Sequence, residues 1–204
     1  MGLEGVRNKR LLYHLTKLAN LESIIEYGLV SRKSLIDQGK YFEDIADSEI
    51  INKRKDLNLE KYIPFHFHPY SAFDIAVKNT YYEDEFVYLC LNRTFAKENG
   101  FNILIKHPLS QEECILYRYE EGFDKIDWET MEKVGERDEY SRNVKMAECL
   151  TDRRIRVEDL TCIYVQNEEV KKYIEGLFRE AGVSYNPPYV NINETWFKLE
   201  DDWV

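Results

Sequence analysis

The stretch from Phe86 to Leu91, Phe-Val-Tyr-Leu-Cys-Leu, most constrains what this chain can fold into. It is apolar throughout and β-prone, so it reads as a strand covered on both faces. Covering both faces takes a sizeable core. With 204 residues, 44% of them hydrophobic and 14% aromatic, the chain can build that core as one domain over residues 1–204.

Shorter elements surround that strand. Arg10 to Thr16 is β-prone and ends in His14 and Thr16, which share a strand face. Asn20 can cap a helix carrying Leu21, Ile24 and Ile25, and Gly28 can end it. From Ser34 to Asp47 the pattern fades into a mobile loop. Asp47 or Ser48 then caps a short polar helix, Glu49 to Lys55, with Arg54 on the face of Ile50. Tyr62 to Pro69 reads as a strand with Phe65 and Phe67 on one side and His66 and His68 on the other. A short helix is expected at Ser71–Val77 and a strand at Asn102–Lys106.

The region from His107 to Arg142 is crowded with charge and has no dominant period. Gln111–Leu116 and Trp128–Val134 look helical, and the whole reads as a long excursion outside the sheet. Ile163–Val165 is a further strand. Asn167 caps a helix through Leu177 and Phe178 that Gly182 ends, and Tyr189–Ile192 and Thr195–Phe197 are short closing strands. Strands and helices mix without a βαβ rhythm, so the expected class is α+β.

Composition narrows the function classes. No apolar run approaches membrane-spanning length, and the N-terminus lacks the pattern of a secretory signal. Cys90, Cys114, Cys149 and Cys162 form no CxxC pair, which fits a reducing cytoplasm. A net charge of -10 argues against a non-specific nucleic-acid binder. Basic residues still cluster at Arg7–Arg10, Arg32-Lys33, Lys53–Lys55 and from Arg142 to Arg156, so converging clusters could present a positive cleft to an anion.

Arg142 to Leu150 poses the chemical question. As a strand, Met146, Glu148 and Leu150 share a face, and Glu148 becomes a desolvated carboxylate that needs a partner or a task. As an amphipathic helix, the same segment puts Glu148 in water. There is no Gly-rich phosphate loop, no GxSxG and no HExxH. His66-x-His68, with Asp74 nearby, offers too few strong ligands for a metal to be expected. What remains is a dispersed set: His14, Thr16, Arg54 and Glu148. These types suit an anionic cofactor with a sugar linkage.

Tyr13-His14-Leu15-Thr16, Asn20-Leu21 and Gly28-Leu29 resemble the opening of the DarT-type ADP-ribosyltransferase toxins, which modify DNA. The likeness continues through Ile50–Arg54, Tyr62–Phe67, Ile126-Asp127-Trp128 and Ala147-Glu148-Cys149-Leu150 to Thr195-Trp196-Phe197. It implies an ADP-ribosyltransferase-like fold, a split mixed or antiparallel β core flanked by helices. It implies NAD as co-substrate, held by His14, Leu15, Thr16, Asn20 and Arg54, with Arg54 and Glu148 catalytic and no metal. Residues 36–55 match the family's NAD-binding element. The excursion from His107 matches its substrate loop.

The chemistry accounts for those residue types. Breaking the nicotinamide–ribose bond develops positive charge on the sugar, which a carboxylate can stabilise. An Arg fork suits pyrophosphate. The resemblance implies single-stranded DNA as acceptor, at thymine or guanine, and a macrodomain protein as antitoxin. Where relatives carry a Pro-Arg-Ser-Pro-Met-like turn, this chain has His68-Pro69-Tyr70-Ser71-Ala72-Phe73. Tyr70, Phe73 and His107 are therefore candidate DNA contacts, the two aromatics by stacking on an unpaired base. An RNA or protein acceptor, or a non-enzymatic nucleotide-binding module, are the alternatives.

Overall fold

The computed structural model describes residues 5–69, 71–110, 113–134 and 138–198. The strands are β1 (Leu11–Lys17), β2 (Ile63–His66), β3 (Phe86–Asn92), β4 (Asn102–Leu104), β5 (Leu116–Arg118), β6 (Glu148–Thr151), β7 (Cys162–Val165) and β8 (Tyr189–Ile192). The helices are α1 (Leu21–Tyr27), α2 (Arg32–Asp37), α3 (Ser48–Asp56), α4 (Ala72–Thr80), α5 (Arg93–Glu98), α6 (Tyr119–Lys125), α7 (Trp128–Glu132), α8 (Glu139–Lys145) and α9 (Glu168–Glu180). The strands form one mixed sheet in the order β5-β4-β6-β2-β1-β3-β7-β8. Neighbours run antiparallel except for β7 and β8.

β3 is covered on both faces, as its composition requires. Val87, Leu89 and Leu91 join one apolar cluster with Leu12, Phe65, Phe67 and Ile163. Phe86, Tyr88 and Cys90 join another with Tyr13, Leu15, Trp196 and Phe197. The first cluster receives Val170, Ile174 and Phe178 from α9, spaced four residues apart along one helix face. Asn167 caps that helix by accepting from the Val170 N–H.

The sheet is split in one place. β1 is in register with β3 from Leu11 opposite Asn92 to Lys17 opposite Phe86, but with β2 at a single pair, Tyr13 opposite His66. Pro64 is the reason on the β2 side, because it has no N–H to give to a ladder. Its carbonyl accepts instead from His14 Nδ1 at 2.8 Å. A side chain thus closes the seam where backbone pairing stops, and the cavity described below opens there.

Several expectations change. Residues 32–37 form α2 rather than the start of a loop, because the Ser31 hydroxyl caps the Ser34 N–H. Gln111 and Glu112 lie outside the described residues, and Leu116–Arg118 is a strand, not the end of a helix. It pairs with β4, whose other edge is taken by β6, so the excursion from His107 contributes an edge strand to the sheet. Thr195–Phe197 is part of a 3-10 turn rather than a strand. A strand would send Trp196 and Phe197 to opposite faces, whereas both pack in one cluster. Among the described residues no helix is long and apolar enough to cross a membrane.

Candidate active site

Glu148 opens β6, opposite His66 of β2 on one side and Leu104 of β4 on the other. α8 ends three residues earlier at Lys145, so Glu148 is the buried strand carboxylate and not a solvated helix residue. Its partner comes from α3, which Asp47 starts by accepting from the Glu49 N–H. Arg54 Nη1 donates to Glu148 Oε1 at 2.9 Å and Oε2 at 2.8 Å. Burial pushes the Glu148 carboxyl up, but the Arg54 guanidinium, through its charge and its hydrogen bonds, more than reverses this and holds it below the usual range. The carboxylate is ionised.

One cavity surrounds this pair. His14, Leu15, Thr16 and Asn20 line it from β1 and the turn that follows, and Phe42–Ala46, Ile50 and Ile51 from the segment before Arg54. His66, Phe73, Asp74 and His107 complete the wall near Glu148. Asn20 precedes α1 as expected but caps nothing. Its Nδ2 donates to Thr16 Oγ1 at 3.1 Å and to the Glu43 carbonyl at 2.9 Å, and its Oδ1 accepts from the Glu43 N–H at 2.8 Å. A residue read as a helix cap therefore fixes the cavity wall.

His14, His68 and His107 are held neutral by burial. His14 faces a carbonyl through Nδ1, so its proton sits there and Nε2 is free to accept. His107 has the opposite tautomer, because its Nδ1 accepts from the Leu109 N–H at 3.3 Å. Burial lowers both to about 4. In His68 both ring nitrogens face carbonyls, Pro69 at 3.1 Å and Lys145 at 2.9 Å, which favours the cation. Burial outweighs them and holds its pKa below the usual value, so the neutral ring donates to one carbonyl at a time.

A sequence model of one protein family, described as "DarT: ssDNA thymidine ADP-ribosyltransferase", matches residues 13–198. The chain belongs to the DarT family. It is accordingly an ADP-ribosyltransferase of single-stranded DNA. No curated protein sequence matches it significantly. Among solved structures it is similar to Thermus sp. 2.9 DarT in complex with ADP-ribosylated ssDNA, with TM-score 0.78 and 19% identity over 94% of this chain and 97% of that one. The same protein in complex with NAD+ gives TM-score 0.74 and 18% identity, covering 93% and 98%. Thermosipho africanus DarTG in complex with ADP-ribose gives TM-score 0.72 and 24% identity, covering 94% of this chain and 52% of that one. These likenesses show the DarT fold.

In this DarT-family protein the cavity brings together His14, Leu15, Thr16, Asn20, Arg54, Phe73, His107 and Glu148 from six separate stretches of sequence. Tyr70 lies outside the described residues. His66 and Asp74, which the sequence offers only as a weak metal pair, are both wall residues of the cavity. His66 Nδ1 and Asp74 Oδ1 are the buried side-chain polar atoms without a hydrogen-bond partner among the described residues. The other Asp74 oxygen accepts from the Ser71 N–H in the capping box that starts α4. Buried polar groups are almost always satisfied, so these two call for an ordered water or a ligand atom. His66 could have been found from its place beside Glu148 had the β2–β6 register been known. Among the described residues no group of three or more His, Cys, Asp or Glu is arranged to hold a metal.

Proposed function

We propose that this cavity binds NAD and that the chain transfers its ADP-ribose to a thymine of single-stranded DNA, with Glu148 and Arg54 as the catalytic residues. The Arg54–Glu148 pair in an otherwise largely apolar cleft carries this reading. The cleft fits such a ligand: an ionised carboxylate and a guanidinium line the same space, with His66 and Asp74 in the same wall. In the reaction the ribose–nicotinamide bond breaks, a bond from the same ribose carbon to a base nitrogen forms, and the base gives up a proton.

Glu148, bonded to a ribose hydroxyl, stabilises the positive charge that develops on the sugar. Arg54 neutralises the pyrophosphate. His14, Leu15, Thr16 and Asn20 hold the nicotinamide end. His107, Phe73 and Tyr70 contact the DNA, which enters single-stranded because a paired base is shielded. A macrodomain protein that removes the modification is the proposed antitoxin. The cytoplasm, where NAD and DNA occur together, is the proposed compartment, in keeping with Cys90, Cys114, Cys149 and Cys162 all being free thiols.

The test is transfer of label from NAD to separate pools of thymine-containing single strands, thymine-free single strands, duplex DNA, RNA and mixed protein. Label on the thymine-containing strands that disappears in Glu148→Ala is the expected result. Label confined to RNA or protein moves the acceptor, and NAD binding without any transfer makes the chain a binding module.

A further inference from the structure

From Arg32 to Asn58 the chain has no buried residue, although this segment supplies Phe42–Ala46, Ile50, Ile51 and Arg54 to the cavity wall. Neither α2 nor α3 buries a side chain. Apolar packing places this wall only through half-buried side chains, Ile45 against the cluster of Tyr13, Tyr88 and Trp196 and Leu57 against that of Leu59, Leu104 and Leu150. Segments with few buried apolar contacts have low local stability. Polar links supply the rest.

Apart from contacts of Lys33 with Glu60 and of Lys40 with the Tyr27 ring, two of those links reach the cavity. At one end, Arg54 reaches Glu148. This pair has to separate for NAD to be bound as proposed, since Arg54 turns to the pyrophosphate and Glu148 to the ribose. In the middle, Glu43 is held three times. Its backbone N–H and carbonyl both bond to the Asn20 amide. Its Oε2 lies 3.0 Å from Lys17 Nζ. Lys17 belongs to β1, is 7% exposed, and is also paired with Asp84 at 2.7 Å and seated 4.4 Å over the Tyr81 ring. Burial opposes its charge, but Asp84 and Glu43 raise its pKa above the usual value. The Arg32–Asp44 pair, at 2.5 Å, joins two parts of the segment to each other and does not tie it to the sheet.

We infer that Lys17 and Glu43 are positioning residues for the transferase reaction: a latch independent of Arg54 that keeps the wall closed on NAD. The inference rests on the reading of the cavity as the NAD site. The latch touches neither the reacting ribose nor Glu148, so it acts on how tightly NAD is held and not on the chemical step.

Lys17 has two carboxylate partners, and this permits a controlled test. Glu43→Gln removes the partner on the wall, and Asp84→Asn removes the one outside the cavity. Each variant leaves Lys17 with one carboxylate, so neither strands a buried charge. A purely structural role for Lys17 predicts equal effects. The latch predicts that Glu43→Gln raises the KM and the Kd for NAD by about tenfold, as loss of one charge-assisted hydrogen bond allows. The kcat should stay within about a factor of two, and Asp84→Asn should leave all three unchanged. Equal changes in both variants, no change in either, or a fall in kcat at constant KM each overturn the latch. If the wild-type protein transfers no ADP-ribose to single-stranded DNA, the functional reading fails instead.

Discussion

Both carboxylate oxygens of Glu148 accept from one nitrogen of Arg54, at 2.9 and 2.8 Å, in a site where the two side chains are 5% and 12% exposed. Each is assigned to a different part of NAD. Without ligand they satisfy each other, which avoids leaving a buried charge unpaired. In the proposed complex the two side chains turn to different parts of NAD, so their contact competes with binding.

Glu148→Gln should therefore separate binding from chemistry. Transfer to single-stranded DNA should fall at least ~100-fold, the usual effect of removing one preorganised electrostatic group. NAD affinity should hold or rise, because Arg54 no longer has a carboxylate competing for it. Calorimetric titration with NAD beside a transfer assay checks both. Loss of binding in step with activity would mean that Glu148 is needed to hold the ligand.

Arg54→Ala should cost stability as well as activity. It leaves the Glu148 carboxylate buried without its cation, a change typically worth ~3–5 kcal/mol. Arg54→Lys should cost less stability, because the charge remains, yet still impair NAD binding through loss of the planar fork. Urea unfolding of the two variants at pH 7 supplies the comparison, and equal midpoints would show that charge does not matter there.

Gly28 sits where α1 ends, with φ +79 and ψ 161, a region that is essentially restricted to glycine. A Cβ there would meet the Ile155 carbonyl and Arg154 Nε, each at 2.8 Å. The Arg side chain can move aside. The Ile155 carbonyl cannot, because it accepts from the Leu29 N–H at 2.7 Å. Gly28→Ala should thus destabilise the fold by about 1–3 kcal/mol. A melting temperature unchanged from wild type would contradict this.

How far the sequence discloses this site follows from what each residue needs locally. β3, α3 and α9 are legible because their own apolar runs and caps specify them. His14, Thr16, Arg54 and Glu148 are legible as a set because the family motifs around them keep their order. His66 and Asp74 are less so, since an unsatisfied buried atom is defined only by tertiary surroundings. β5 escaped because its pairing is with β4 and its own three residues carry little pattern. Glu43 looks like any loop carboxylate until Lys17 and Asn20 are brought against it.

Acid should weaken the fold in two stages with different causes. Burial depresses His14 and His107 from the usual 6.5 to about 4, so between those values the unfolded chain binds protons that the native site refuses. Stability rises with pH wherever the unfolded state holds more protons, so it should fall as pH drops from 6.5 towards 4. Glu148 enters later. Its folded value is depressed, so its contribution is present above the ordinary carboxylate value near 4.5 and is lost only as pH falls through the lower folded value. His107→Gln retains an acceptor for the Leu109 N–H and removes one titrating ring. Melting temperatures from pH 7 to 4 should decline in the wild type and more gently in this variant. Parallel curves would mean that His107 titrates normally in the native state and is not the buried neutral ring beside Glu148.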